Sequence, residues 1–81
     1  KAELRLYPNP TGEQNLRVAW PGERESVAYW YVYNGHGQEV RRGTLAPSAE
    51  DFRVPTKTLP TGVYLFRLRT QQRDWSRYFV R

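Results

Sequence analysis

The only imidazole in the chain is His36, set in Asn34-Gly35-His36-Gly37. A metal ion needs three or four convergent donors. With no cysteine and no second histidine, His36 reads as a solvated turn residue, and no metal and no cofactor are expected. The acidic pairs Glu23/Glu25 and Glu50/Asp51 could act as general acid and base only across a cleft, yet both fall in loops, and a domain of 81 residues offers little cleft. None of the constellations that mark catalytic sites is present, so no catalytic residue is assigned and no enzyme activity is expected.

Arginine and tyrosine are the remaining side chains with binding chemistry. From Gly62 onward five arginines (Arg67, Arg69, Arg73, Arg77 and Arg81) face one acid, Asp74, so this quarter carries +4 of the formal +5. It is the natural place for an acidic partner to dock. Aromatics interleaved with arginine are also what a single-strand nucleic-acid binder uses. No nucleic-acid signature accompanies them, and the reading preferred is that tyrosines fill a central strand while arginine stems and heads lie over them. A sugar-binding surface is a third reading, because an exposed Trp or Tyr can stack on a pyranose. The sequence does not say which aromatic is exposed.

These side chains must be positioned by strands, since no stretch of ten or more residues has helical periodicity. The clearest strand follows Leu59-Pro60-Thr61-Gly62: Tyr64, Phe66 and Leu68 alternate with Val63, Leu65, Arg67 and Arg69, and the first set is taken as core. Pro60 is suited to the second position of a turn, and Gly62 to the reversal.

Ala2, Leu4 and Leu6 make a short strand that stops at Pro8-Asn9-Pro10-Thr11-Gly12, a rigid extended turn with Gly12 free to take positive φ. Leu16, Val18 and Trp20 form the next face, ended by Pro21-Gly22. Val27 to Tyr33 is apolar or aromatic on both faces and is expected to be central. Asn34 to Gly37 is a hairpin turn into a polar edge strand, Gln38 to Leu45, with Val40 as its main apolar contact. Ala46 to Asp51 is loop, and Phe52 and Val54 form a brief strand. Gln71 to Asp74 closes a last hairpin into Trp75 to Arg81, where either Trp75 and Phe79 or Tyr78 and Val80 point inward. Six or seven short strands indicate an all-β fold, a small antiparallel immunoglobulin-like sandwich, with a barrel the lesser alternative.

One domain fits in this length, with only about 60% of the unfolded chain's surface hidden on folding. The longest apolar or aromatic run is seven residues, against roughly 18 to 20 for a membrane helix, so no transmembrane segment is expected. The start, Lys1-Ala2-Glu3-Leu4-Arg5-Leu6, enters a strand directly and has no apolar signal region. This suggests a piece taken from a longer polypeptide.

Three ordered motifs and an ending carry a resemblance. Tyr7-Pro8-Asn9-Pro10 with Gly12, then Tyr33-Asn34 followed by Gly37-Gln38-Glu39-Val40, then Leu59-Pro60-Thr61-Gly62-Val63-Tyr64, and finally Arg77-Tyr78-Phe79-Val80-Arg81 together resemble the C-terminal sorting domain, type A, of the type IX (Por) secretion system. The resemblance covers essentially the whole chain. It implies a domain carried behind an N-terminal cargo in Bacteroidetes-type bacteria, with an immunoglobulin-like fold. Cargo of that family crosses the periplasm, is recognised by an outer-membrane translocon and reaches the cell surface or the medium. A sortase-like signal peptidase removes the domain and attaches many cargoes to anionic lipopolysaccharide. The aromatic and Arg-rich strands depart from the pattern, leaving open whether this member has a partner of its own or forms a homodimer. The rival reading is a free-standing β-sandwich adhesion or carbohydrate-binding module.

Overall fold

The computed structural model describes residues 4–19, 27–46, 52–71 and 73–81. Seven strands run through them: β1 Arg5–Tyr7, β2 Leu16–Ala19, β3 Ala28–Tyr33, β4 Glu39–Leu45, β5 Phe52–Val54, β6 Val63–Arg69 and β7 Asp74–Val80. Every pairing between neighbours is antiparallel. One sheet has the order β1-β2-β5 and the other β4-β3-β6-β7. This is the expected small immunoglobulin-like sandwich, in which the chain changes sheet between β2 and β3, between β4 and β5, and between β5 and β6.

Alternation decides which side chains lie between the sheets. Leu16 and Val18 of β2, Ala28, Trp30 and Val32 of β3, Val54 of β5, Tyr64, Phe66 and Leu68 of β6, and Phe79 of β7 are buried. Leu4, just before β1, joins them. The ambiguity in the last strand resolves through register: Phe79 lies opposite Tyr64 and Trp75 opposite Leu68, so both face inward, while Tyr78 and Val80 face solvent. The edge position of β4 and the central position of β3 follow the sequence reading. Leu45 packs against the core as well as Val40.

Several expected features shift by a residue or two at strand ends. β7 begins at Asp74 rather than Trp75, and Arg81, beyond its end, still exchanges backbone hydrogen bonds with Gly62. Ala2, Trp20, Pro21-Gly22, Glu23/Glu25 and Glu50/Asp51 lie outside the described residues.

Trp30 is the bulkiest of the buried core side chains, 6.2 Å from Phe52 and 6.4 Å from Phe66 between ring centroids. Its indole needs room on the edge strand, which Gly43 supplies from directly opposite in register. A Cβ built on Gly43 would meet the indole at 2.5 Å. At Gly62 the reason for glycine is different. Nothing lies nearer than 4.0 Å to a Cβ there, but φ is +153°, a conformation that side chains with a Cβ avoid. Backbone conformation, not crowding, accounts for glycine in that turn.

Candidate functional site

The three motif turns, Pro8 to Gly12, Asn34 to Gly37 and Leu59 to Gly62, sit at one pole of the sandwich. Antiparallel pairing brings the end of β1, the start of β2, the end of β5, the start of β6 and the end of β7 to the same side. The tip of the β3–β4 hairpin lies there too, with the Val63 carbonyl 3.9 Å from where a Gly35 Cβ would stand. The β6–β7 turn at residues 70–73 belongs to the opposite pole.

The pole is clasped around the end of β7. Arg81 donates its backbone N–H to the Gly62 carbonyl at 2.8 Å and accepts from the Gly62 N–H at 3.3 Å. That exchange turns the N–H and C=O of Val80 toward the open edge of the sheet, where an antiparallel ladder would leave them unpaired. The first turn takes both: Asn9 Oδ1 accepts from the Val80 N–H at 2.9 Å, and the Thr11 N–H donates to the Val80 carbonyl at 2.8 Å. Pro8 and Pro10 flank Asn9, and the Tyr7-Pro8 and Asn9-Pro10 peptides are both cis. Gly12, at φ +60°, turns the chain back toward β2 as expected.

The β5–β6 connection forms the rest of the clasp. Arg81 Nε donates to the Thr56 carbonyl at 3.1 Å, and a terminal guanidinium nitrogen donates to the Lys57 carbonyl. Thr56 is buried, and its hydroxyl accepts from the Leu16 N–H at 3.1 Å. Asn15 Oδ1 accepts from the Thr56 and Lys57 N–H groups at 3.2 and 3.1 Å. From β4, Arg41 donates to the Pro55 carbonyl at 3.1 Å and to Thr58 Oγ1 at 3.0 Å. Leu59 is buried, and the Tyr64 hydroxyl donates to the Pro60 carbonyl at 2.5 Å. The Tyr64 ring stacks on Phe79 at 5.5 Å, tying the third motif to the last strand.

The middle motif is organised by one amide. Asn34 Oδ1 accepts from the N–H groups of His36 and Gln38 at 2.9 and 3.0 Å, Asn34 Nδ2 donates to Gln38 Oε1 at 3.0 Å, and the Gly37 N–H donates to the Asn34 carbonyl at 3.0 Å. Val40 then lies half-buried at the start of β4. His36 is an exposed loop residue, and no three His, Asp or Glu side chains converge among the described residues.

Pro8, Asn9, Pro10, Gly12, Gly37, Gln38, Leu59, Gly62, Tyr64, Val80 and Arg81 therefore share one pole, with Val40 and Phe79 at its inner margin and Tyr78 on the outer face. The five arginines do not form one row. Arg67 and Arg69 stand on the outer face of β6, both against Asp74. Arg73 lies over the Trp75 ring at 5.9 Å, near the opposite pole. Arg77 pairs with inward-facing Phe66 in register and lines a hollow with Leu4, Arg5 and Asn9. Arg81 is folded into the clasp. Thr11, Asn15 and Thr56, in short loops, and Arg41, on a polar edge strand, were not proposed as site residues from the sequence, because a polar side chain in such a place carries no periodic signal.

The profile of a family described as secretion system C-terminal sorting domain matches residues 5–80. The chain belongs to that family. It is a C-terminal sorting signal of type IX secretion, by which a cargo is exported through the outer membrane to the surface or beyond. Comparison with curated proteins gives no match.

One electrostatic feature of the domain is testable by pH. Arg67 grips Asp74 with two hydrogen bonds, at 3.1 and 2.7 Å, and this holds the Asp74 carboxyl below the usual carboxylate range while raising Arg67. A depressed carboxylate adds stability that is present above its unfolded value, about 3.9, and is lost as the pH falls through the folded one. The pair is partly solvated, so its contribution is small. Melting the sorting domain at neutral pH and near pH 3 should show Asp74→Asn less stable at neutral pH and flatter on the acid side. Superimposable acid limbs would make the pair neutral.

Proposed function

We propose that the clasped pole is the surface the secretion apparatus reads. The domain does no chemistry of its own in this reading. It travels behind its cargo through the periplasm, presents Pro8-Asn9-Pro10, the Asn34–Gln38 turn and the Leu59–Tyr64 turn to the outer-membrane translocon, and is afterwards removed by a sortase-like peptidase during surface attachment. One observation supports this above the others: motifs separated by up to 71 residues in the chain are bonded to one another, as when Asn9 holds Val80. Three connections meet there, and two of them, β1–β2 and β5–β6, form hydrogen bonds with Val80 and Arg81.

The test is a reporter cargo ahead of the domain in a host with a working type IX pathway. Asn9→Ala removes one exposed hydrogen bond, a loss of about 1 kcal/mol that leaves a folded domain. Tyr64→Phe keeps the ring on Phe79 and removes only the bond to Pro60. Circular dichroism should show both variants folded, with the reporter retained in the periplasm at several times its normal level. Folded variants exported at the parent rate would mean that the pole serves folding alone.

A further inference from the structure

Five of the large apolar or aromatic side chains that stay exposed, Val27, Tyr29, Val63, Tyr78 and Val80, share the outer face of the four-stranded sheet; Tyr78 is 70% exposed. They are not scattered. Tyr33, Leu65 and Tyr78 occupy one cross-strand row, so the two tyrosines stand about 10 Å apart with Leu65 between them. Together with Val63 they line a shallow trough that ends at Asp74, Arg67 and Ser76. A second hollow on the same face, walled by Tyr29, Tyr31 and Arg69, continues along β3. The Tyr31 and Tyr33 rings stack at 6.2 Å, which joins the two hollows into one aromatic track.

The charges on this face say what lies in the track. Arg67 and Arg69 share the Asp74 carboxylate, at 2.7 and 3.5 Å, and Arg42 is bound to Glu39 at 2.5 Å. A polyanion needs several uncommitted cations, and these three guanidinium groups stand against two carboxylates, which leaves a surplus of a single positive charge. A guanidinium held against a carboxylate instead offers donors and acceptors side by side in fixed positions, the arrangement that vicinal hydroxyl groups require. The apolar C–H face of a pyranose ring stacks on a tyrosine ring without any net charge. We propose that the outer face of the four-stranded sheet binds a neutral glycan, several pyranose rings lying along the track from Tyr78 and Tyr33 to Tyr29, with the Arg67–Asp74 pair holding hydroxyl groups. The trough adjoins the pole, whose Asn34, Gly37 and Tyr64 line one end of it, but the sugar contacts assigned here belong to the tyrosines and the Arg67–Asp74 pair on the strands.

The experiment is an NMR titration of the 81-residue chain with cellohexaose and, separately, mannohexaose. At least one of these two sugars should shift the amides of Tyr33, Leu65 and Tyr78, with a Kd on the order of 1 mM that does not change with salt. Tyr78→Ala, at an exposed position, should keep the spectrum of a folded domain and bind about tenfold more weakly. Tyr7→Ala, on the three-stranded sheet, should bind as the parent does. The assignment fails if neither sugar moves these amides, or if Tyr78→Ala binds unchanged. It also fails if oligothymidylate binds the face with steep salt dependence, or if the same amides move with protein concentration alone, which would give the face to a second copy.

Discussion

A cargo whose sorting domain lacks Trp75–Arg81 is expected to accumulate in the periplasm. The deleted segment is nearly the whole of β7, which pairs with all seven residues of β6 and brings Phe79 against Tyr64. Its loss opens a central strand to solvent and removes Phe79, a fully buried aromatic, from the inner face, so unfolding alone could account for the defect. A shorter truncation separates the two causes. Removing only Val80 and Arg81 keeps Asp74–Phe79 paired but strips partners from Asn9, Thr11, Gly62, Thr56 and Lys57. Circular dichroism should find sheet in this shorter form, and surface labelling of the reporter should find little or no export. Normal export of the short truncation, with only the long one retained, would assign the defect to folding and remove the pole from recognition.

Gly43→Val is expected to destabilise the domain by about 1–3 kcal/mol, with a lowered melting temperature. Edge-strand preference alone argues the opposite, because valine suits a strand and glycine weakens one. The geometry decides for destabilisation. A Cβ at position 43 would lie 2.5 Å from Cζ2 and 2.6 Å from Cε2 of Trp30, atoms in the body of the indole and not at a flexible tip. The ring has little room to retreat, being 9% exposed and lodged against Phe52 and Phe66. Gly43→Ala carries the same Cβ and should lose most of the same stability. Trp30→Leu frees the space, so the double variant Trp30→Leu with Gly43→Val should be less destabilised than the two single losses added together. Urea melts of the four proteins measure this, and a Gly43→Val chain as stable as its parent would refute the packing argument.

Much of the architecture is legible in local pattern. Alternation picks out Tyr64, Phe66 and Leu68, or Ala28, Trp30 and Val32, because a strand with one buried face must repeat every two residues. Asn34-Gly35-His36-Gly37 and Leu59-Pro60-Thr61-Gly62 mark turns because glycine and proline restrict or release φ within a few residues. The motifs around these turns also sufficed to indicate the sorting family. Three things required the folded chain. Register between β6 and β7 was needed to turn Phe79 inward and Tyr78 outward, since the last strand is aromatic on both faces. The Gly43–Trp30 contact lies across two strands and leaves no trace in either strand's own period. The clasp is a matter of distance in space: Asn9 and Val80, or Thr56 and Arg81, meet only after both sheets have formed, and hydrogen bonds between residues so far apart along the chain have no local signal. Short-range chemistry thus determined the strands and corners of this protein, whereas the gathering of its motifs at one pole and the dispersal of its arginines were decided by how two sheets pack.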